Sequence, residues 1–343
     1  MEKRFLGQSG LQVSAVALGG WTFGREADVR TSRRLLDVFR DQGGDLIDTA
    51  EGYGDGSSEE IIGGWLAGRR DRERVVIATK VYGRGESAER GLSRKHVIHA
   101  AEGSLRRLRT EYLDLFQTHC WDPGTPIEET ISAMENLVER GLVRYIGVSN
   151  YSAWQLVLAC SKSRWAYGDR VVSLQTEYSL LERTPEWELL PACQAMGVGV
   201  LAWSALGGGW LTGKHRRGAQ CPTPGTRVAE TAQPWQPDSF EARANERTFA
   251  IVDCLEKVAS ARGVSIAQVA IGWLLSKAGV VPIVGARSEE QLLENLTTDR
   301  RRLTPDDVAT LDEASALPRP WLYRYIEKEG RDNERYHSAI DWD

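Results

Sequence analysis

Residues 113–149 have the sequence LDLFQTHCWDPGTPIEETISAMENLVERGLVRYIGVS. Two short apolar runs, Leu113–Thr118 and Tyr145–Ser149, lie on either side of residues 127–140, where apolar side chains recur with the period of a helix. A helix between two strands returns the chain to the end of the sheet where the first strand began, so the two strands run parallel. The segment therefore predicts a strand–helix–strand unit.

The same unit recurs along the whole chain. The predicted strands are Ala15–Leu18, Asp45–Thr49, Val75–Lys80, Leu113–Thr118, Tyr145–Ser149, Val171–Gln175, Gly199–Trp203 and Val280–Val284. The predicted helices lie near residues 28–42, 58–69, 93–108, 127–140, 152–163, 186–196, 245–262 with 265–277, and 288–296. Eight repeats favour closure of the sheet over an open, doubly wound arrangement. The fold class is α/β, and residues 1–343 are expected to form one (β/α)8 TIM barrel.

Four segments fall outside the eight repeats. Residues Arg4–Leu6 and Leu11–Val13 flank a Gly-Gln-Ser-Gly turn and predict a hairpin that precedes the barrel. Residues 207–241, rich in glycine, proline and polar groups, are too long for an ordinary connection and are typical of a lid. A further helix is predicted at 304–315, and the tail at 316–343 is rich in aromatic residues.

The composition favours a soluble protein with a large core. Of the 343 residues 41% are hydrophobic, and the formal net charge of −5 disfavours nucleic acid or an anionic membrane as the main partner. No stretch approaches the roughly 18 apolar residues of a spanning helix, and the N-terminus lacks the apolar region of a signal peptide. The five cysteines are scattered without a C-x-x-C pair, which is typical of free thiols in a reducing cytoplasm. We therefore expect a cytoplasmic protein.

Polar residues follow the predicted strands at the end where barrel active sites form. They are Asp48 and Tyr53 after the second strand, Lys80 at the end of the third and His119 after the fourth. A tyrosine titrates near ~10, and a nearby ammonium favours its ionised form. Lys80 can supply that charge, Asp48 can hold the ammonium, and His119 can donate a hydrogen bond to a substrate oxygen. These residues predict general acid catalysis by Tyr53.

These strand ends also resemble a known family. The motifs Asp48-Thr49-Ala50…Tyr53-Gly54, Ala78-Thr79-Lys80, Leu115-Phe116-Gln117-Thr118-His119 and Gly147-Val148-Ser149-Asn150 are similar to those of the aldo-keto reductase superfamily. The resemblance runs from about residue 3 to about residue 315. It implies that Asp48, Tyr53, Lys80 and His119 form a catalytic tetrad, in which Tyr53 protonates a carbonyl oxygen while NADPH delivers hydride.

The resemblance also implies residues for the nicotinamide end of a cofactor site. Ser149 and Asn150 look like the pair that binds the carboxamide, with Gln175 beside them. Trp203 stands where the family stacks an aromatic ring on the nicotinamide, a position more often occupied by tyrosine. Trp21 is a further candidate at this end.

The remaining cofactor residues are implied in the same way. The pyrophosphate would lie along Ser204, Leu206, Gly208, Gly213 and Lys214, beneath the 207–241 loop. After the eighth strand, Gly285, Arg287, Gln291 and Asn295 match the adenosine end. Arg287 can bind a 2′-phosphate through two parallel hydrogen bonds, which favours NADPH over NADH. The Gly-Ala-Arg form of this motif resembles the bacterial and potassium-channel β-subunit branches of the superfamily.

The function predicted from these residues is reduction of a small aldehyde or ketone to an alcohol. Trp21, Tyr82 and Trp121 are candidates for the wall of the substrate pocket, and a homo-oligomer is possible. Two alternatives stay open. One is an NADPH-binding regulatory subunit like the potassium-channel β-subunits, and the other is a reductase specialised for keto-sugars.

Two other patterns are weaker. Residues 208–215 fit the G-x-x-x-x-G-K of a phosphate loop, but His215 stands where such a loop needs serine or threonine for magnesium. His96 and His99 lie three residues apart on a predicted helix with basic neighbours, which is more typical of a solvated surface than of a metal site. We therefore predict neither nucleotide hydrolysis nor a bound metal.

Overall fold

A computed structural model describes residues 1–84, 90–163, 171–215, 217–230, 236–300 and 303–331 of the chain. A hairpin comes first, with β1 at Lys3–Phe5 and β2 at Gln12–Ser14. The strands that follow are β3 Ala17–Gly19, β4 Leu46–Asp48, β5 Val76–Val81, β6 Leu113–Thr118, β7 Val143–Ser149, β8 Val171–Glu177, β9 Gly199–Trp203 and β10 Val280–Val284. These eight pair in parallel in chain order, and β10 pairs with β3 to close the barrel. The predicted fold class and hairpin are confirmed.

Helices connect and cover the strands. They are α1 Val29–Asp41, α2 Ser57–Leu66, α3 Arg94–Leu108, α4 Ile127–Glu139, α5 Ala153–Lys162, α6 Leu189–Met196, α7 Arg227–Glu230, α8 Phe240–Arg243, α9 Glu246–Arg262, α10 Ile266–Leu275, α11 Glu289–Leu296, α12 Pro305–Ser315 and α13 Trp321–Arg331. Side chains cap several N-termini, as where Asp28, Ser93 and Ser288 accept hydrogen bonds from backbone N–H groups.

The structure and the sequence-based prediction differ at the sixth helix and in the tail. The helix expected from residue 186 begins at Leu189, because a separate 3-10 turn occupies Thr184–Glu186. The aromatic tail contains helix α13, which the sequence analysis did not predict. The rest of the tail, with Tyr336 and Trp342, lies outside the described residues.

The barrel interior is filled by side chains that point inward at every second position of the strands. This inner cluster contains Ala17, Leu46, Val76, Ala78, Leu115, Val172, Leu201, Val281 and Ile283. Leu6 and Val13 of the hairpin belong to the same cluster and are fully buried. The hairpin therefore closes the end of the barrel at which the strands begin.

Arg4 ties the hairpin to the last barrel strand. Its Nη1 donates to the backbone oxygen of Val280 at 2.8 Å, and its Nη2 donates to that of Leu275 at 2.6 Å. Val280 and Leu275 follow Arg4 by 276 and 271 residues in the sequence. The first and last elements of the barrel are thus joined at its closed end.

Within the described residues no single helix is both long and apolar enough to cross a membrane. The bent pair α9 and α10, which meet at 95°, passes that test by length and composition. Both helices carry core residues of the barrel's outer layer, including Leu255 and Trp273, which are fully buried.

Gly63 provides a test of how closely α2 packs on α3. A Cβ added at Gly63 would lie 2.1 Å from the backbone oxygen of Arg107 and 2.8 Å from Cα of Leu108. Because backbone atoms cannot move away easily, we expect Gly63→Ala to lower the free energy of unfolding by about 1–3 kcal/mol, although alanine favours a helix. Urea denaturation measures this change.

The matched control is the neighbouring glycine of the same helix. A Cβ at Gly64 would meet the guanidinium of Arg33 at 2.5 Å, which is the end of a flexible side chain. Gly64→Ala should therefore be neutral or stabilising by up to about 1 kcal/mol. Equal unfolding free energies for the two variants would show that α2 and α3 are not packed as described.

Candidate active site

The strands bring the predicted catalytic groups together because inward-facing positions alternate along each strand. Leu46 and Ala78 belong to the inner apolar cluster, and Asp48 and Lys80 follow them by two residues. Side chains two residues apart on a strand point to the same side. The apolar interior thus gives way to charged groups at the last inward-facing positions of β4 and β5.

Tyr53 stands on the connection between β4 and α2. It begins a short 3-10 segment, Tyr53–Gly56, in which Gly54, Asp55 and Gly56 have φ of 56°, 54° and 91°. This left-handed backbone folds the connection sharply back, so that the tyrosine side chain is buried at the barrel mouth. The ring of Trp21 packs edge-on against it, with ring centroids 5.0 Å apart.

The Lys80 ammonium is the centre of a buried hydrogen-bond cluster. It lies 2.8 and 2.7 Å from the two carboxylate oxygens of Asp48, 2.8 Å from the backbone oxygen of Thr49 and 3.1 Å from the Tyr53 hydroxyl. Gln175 donates through Nε2 to Asp48 at 2.7 Å. The Lys80 side chain has no exposed area and that of Asp48 is 3% exposed, so the two charges compensate each other away from water.

This arrangement fixes the direction in which Tyr53 can donate. An ammonium carries hydrogen-bond donors and no acceptor, so the Tyr53 oxygen must accept from Lys80. The hydroxyl proton of Tyr53 is then left for a different partner. Tyr53 lines the cavity described below, and a ligand oxygen there can receive that proton.

Burial dominates the acidity of the tyrosine in this state. It raises the pKa of Tyr53 above its usual value, and the opposing effect of the Lys80 ammonium does not overcome it. The sequence predicts a lower Tyr53 pKa from the charge of Lys80 alone, and that prediction is wrong because burial outweighs this charge. Burial also disfavours the Lys80 ammonium, but Asp48 and Tyr53 outweigh this effect and raise the pKa of Lys80.

His119 follows β6 and completes the group. Its ring centroid lies 5.6 Å from that of Tyr53, and its backbone oxygen accepts a 2.9 Å hydrogen bond from Nδ2 of Asn150. Burial, reinforced by the positive charge of Lys80, lowers the pKa of His119 to about 3. The imidazole is therefore neutral, with one nitrogen able to donate and the other able to accept.

Asp48, Tyr53 and His119 lie at the floor of a cavity of about 560 Å³. The predicted site residues that line it are Trp21, Asp48, Tyr53, His119, Ser149, Asn150, Gln175, Trp203, Ser204, Leu206, Gly208, Lys214, Gly285, Arg287, Gln291 and Asn295. Lys80 lies behind the wall, in contact with Asp48 and Tyr53. Gly213, Tyr82 and Trp121 are not part of the wall. Within the described residues no group of three or more His, Cys, Asp or Glu side chains is placed to hold a metal ion.

Comparison with known proteins agrees with this geometry. A family model described as the aldo/keto reductase family matches residues 15–316. The chain belongs to the aldo/keto reductase family. It is 39% identical over 308 residues to an uncharacterized oxidoreductase, YrpG, of Bacillus subtilis (strain 168), covering 86% of this chain and 90% of the relative. The family and this relative support a general oxidoreductase role.

Two plant proteins are also similar to this aldo/keto reductase. They are probable voltage-gated potassium channel β-subunits of Oryza sativa subsp. japonica and Arabidopsis thaliana, 36% and 35% identical over 315 residues. In both cases the match covers 86% of this chain and 90% of the relative.

The part of the cavity wall where the sequence resemblance implies nicotinamide binding has an open hydrogen-bonding position. Ser149 is 1% exposed, and among the described residues its hydroxyl has no hydrogen-bond partner. Because a buried hydroxyl normally has one, this group fits a ligand amide. Nε1 of Trp203 donates to Oδ1 of Asn150 at 2.9 Å, so the indole that replaces the family's tyrosine also orients Asn150.

The 207–241 loop covers the middle of the cavity. Nε1 of the buried Trp210 donates to the backbone oxygen of Asp238 at 2.9 Å, which joins the two ends of the loop. Gly208 lies at φ 65°, and a Cβ there would approach Asp238 to 2.3 Å, so only glycine fits this crossing. Lys214 lines the wall, and the ring of His215 lies tilted against that of Trp210, with centroids 4.3 Å apart. Within the described residues neither ring nitrogen of His215 has a hydrogen-bond partner.

At the adenosine end Arg287 already has partners within the chain. Its Nη1 donates to Glu230 at 2.9 Å and its Nη2 to the backbone oxygen of Gly225 at 2.8 Å, both on the 207–241 loop. Gln291 accepts from the backbone N–H of Arg287 at 3.0 Å. Nδ2 of Asn295 donates to the backbone oxygen of Gly285 at 3.3 Å. A phosphate bound by Arg287 would therefore compete with these loop contacts or use the guanidinium N–H groups that they leave open.

Sequence reasoning missed several residues of this wall. They include Glu26, His215, Arg227 and Asp238. Glu26 follows the first barrel strand by seven residues, so a survey of all polar residues after strand ends would have found it. His215 was noted only as a mismatch to a phosphate loop. Arg227 and Asp238 lie in a loop without periodicity, where sequence gives no position.

The other aromatic and histidine candidates lie elsewhere. Trp121 packs edge-on against Tyr151 and Trp154, with ring centroids 5.2 and 5.4 Å apart. His96 is buried, with Nε2 3.6 Å from a carboxylate oxygen of Glu51. The prediction that His96 lies on a solvated surface is wrong, because α3 turns this residue towards the barrel.

The low pKa of His119 has a direct consequence. A histidine whose pKa falls on folding binds its proton less well when folded, so the imidazole stays neutral down to about pH 3. We expect imidazole NMR signals of His119 to stay constant from about pH 9 to about pH 5, a range in which an unperturbed histidine titrates. His119→Asn assigns the signals by their loss. A titration midpoint within that range would contradict the buried, neutral state.

Proposed function

We propose that this chain reduces a small aldehyde or ketone to an alcohol with NADPH. The observation that carries the proposal is the 3.1 Å contact in which Lys80 donates to Tyr53 at the floor of the cavity. It leaves the tyrosine proton available to a ligand oxygen. A buried acid of this kind fits protonation of a carbonyl oxygen, since that oxygen gains negative charge as it is reduced.

The four residues have separate roles in this proposal. Tyr53 donates its proton to the carbonyl oxygen, and Lys80 stabilises the phenolate that is left. Asp48 holds the ammonium in place and balances its charge. His119, neutral at ordinary pH, donates a hydrogen bond to the same oxygen and orients the substrate. A bound reduced nicotinamide supplies the hydride to the carbonyl carbon.

The residues present fit such a cofactor. Ser149 offers its unpaired hydroxyl at the nicotinamide end, and Trp203 offers an aromatic face. Lys214 and Arg287 supply positive charge for the phosphates. Arg287 supports NADPH over NADH, because a guanidinium can bind a 2′-phosphate through two hydrogen bonds once Glu230 has moved away.

A second candidate function is that of a regulatory subunit that binds the cofactor. The observation in its favour is the similarity to the two plant proteins named as potassium channel β-subunits. The intact set of Asp48, Tyr53, Lys80 and His119 favours the enzyme. Binding of NADPH without turnover on a broad carbonyl panel, together with a stoichiometric membrane-protein partner, would favour the subunit.

Replacement of Tyr53 tests the enzymatic proposal. Tyr53→Phe removes the donated proton and keeps the ring, so kcat should fall by about 10²–10⁴-fold on a panel of aldehydes, ketones and keto-sugars. The Kd for NADPH should change less than about twofold. Tyr112→Phe, at the opposite end of the barrel, is the control. Turnover by Tyr53→Phe within about tenfold of the parent would contradict the assigned role.

Replacement of Arg287 tests the cofactor. Arg287→Ala should raise the Kd for NADPH by about tenfold or more, because a charged hydrogen-bond pair is lost, and should leave the Kd for NADH nearly unchanged. Quenching of tryptophan fluorescence measures both constants, since Trp21 and Trp203 line the cavity. Arg34→Ala removes a surface ion pair with Glu289 and serves as the control. Equal effects on both cofactors would contradict a 2′-phosphate contact.

A further inference from the structure

Glu26 is a buried acid in the wall of the cavity. Its side chain is 4% exposed, and among the described residues neither carboxylate oxygen has a hydrogen-bond partner. The nearest positive groups are Nε of Arg287 at 3.9 Å and Nε of Arg227 at 4.0 Å. Glu26 thus lies between Arg287 of the adenosine end and Arg227, whose guanidinium carbon also lies 5.8 Å from the centroid of the Trp21 ring.

A buried carboxylate without hydrogen bonds is costly, and ion pairs at these distances offset only part of that cost. An ionised carboxylate can only accept hydrogen bonds. Its oxygens therefore fit a ligand hydroxyl, which can donate a hydrogen bond to them. They repel a phosphate, which is also negatively charged. At the same end of the cavity, Glu26 thus favours a ligand hydroxyl and Arg287 favours a ligand phosphate.

The arginines are also already balanced by other acids. Arg287 pairs with Glu230 at 2.9 Å, and Arg227 lies 3.6 Å from Asp238. Within the described residues these two arginines lie within 4.0 Å of three carboxylates, of which Glu26 has the least exposed side chain. Glu230 is 50% exposed on the 207–241 loop and can move into water, whereas the backbone N–H of Glu26 is held by the backbone oxygen of Thr22 at 3.0 Å.

We infer that Glu26 is a specificity-determining residue that reduces the difference in affinity by which the protein prefers NADPH over NADH. The inference rests on the proposed function, since it assumes that the cavity holds a nicotinamide dinucleotide. Glu26 accepts a hydrogen bond from the adenosine ribose when the 2′-hydroxyl is free. When that position carries a phosphate, the same carboxylate weakens the attraction of Arg227 and Arg287.

The test is Glu26→Gln, which keeps the shape of the side chain and removes its charge. In the parent protein we expect the Kd values for NADH and NADPH to differ by less than about tenfold. In Glu26→Gln the Kd ratio of NADH to NADPH should rise by about tenfold, chiefly through tighter NADPH binding, as expected for removal of one nearby negative charge. Tryptophan fluorescence quenching gives both constants without turnover.

Adenosine 2′,5′-bisphosphate and adenosine 5′-monophosphate provide a second pair of probes. Calorimetry should show the same rise in relative affinity for the bisphosphate in Glu26→Gln, independent of the nicotinamide half. The matched control is Glu289→Gln, which removes a carboxylate paired with Arg34 outside the cavity. It should leave both ratios unchanged, and thermal unfolding of all variants should show that each is folded.

The outcomes separate this inference from the proposed function. If both dinucleotides bind and Glu26→Gln leaves their ratio within about twofold of the parent, the inference is wrong and the proposed function stands. An equal change in Glu289→Gln would also overturn it, because the effect would then be one of net charge. If neither dinucleotide binds the parent protein, the proposed function and the inference fail together.

Discussion

The site depends on the compensation of one buried ammonium. Lys80 has no exposed side-chain area, and its charge is balanced by Asp48 on the neighbouring strand. Asp48 also accepts from Gln175, so three strands of the barrel meet at this pair. An unpaired charge at this depth would be strongly destabilising. The Lys80 ammonium that joins the strands at the barrel mouth therefore also sets the hydrogen-bond direction of Tyr53. A change at Lys80 would affect both the stability of the barrel mouth and the proposed chemistry.

The two ends of the cavity use charge differently. At the floor, burial keeps His119 neutral and raises the pKa of Tyr53, so both side chains carry the protons that they can donate. At the adenosine end the arginines are matched by carboxylates in the absence of a ligand. The floor is thus prepared for proton donation without rearrangement, whereas an anion at the other end would compete with these carboxylates for the arginines.

Most strands and helices of the barrel could be predicted from the sequence. The strands are short apolar runs, and the helices have apolar residues at helical spacing and recognisable capping residues. The catalytic candidates followed as well, because polar residues at strand ends are placed by the strands themselves. The position of Glu26 and the burial of His96 did not follow, since both depend on contacts made by distant segments. The direction of the Tyr53 pKa was also beyond the sequence, because the depth of burial outweighs a neighbour whose identity was known.

The hairpin at the closed end has a consequence for biosynthesis. Arg4 leaves the ribosome well before its acceptors at Leu275 and Val280, which are made some 270 residues later. Contacts of such long sequence separation form late and slow the acquisition of the native state. A nascent chain that has not yet produced β10 cannot complete the burial of Leu6 and Val13 and lacks the strand that closes the barrel, so its apolar surface is open to aggregation until β10 has been made.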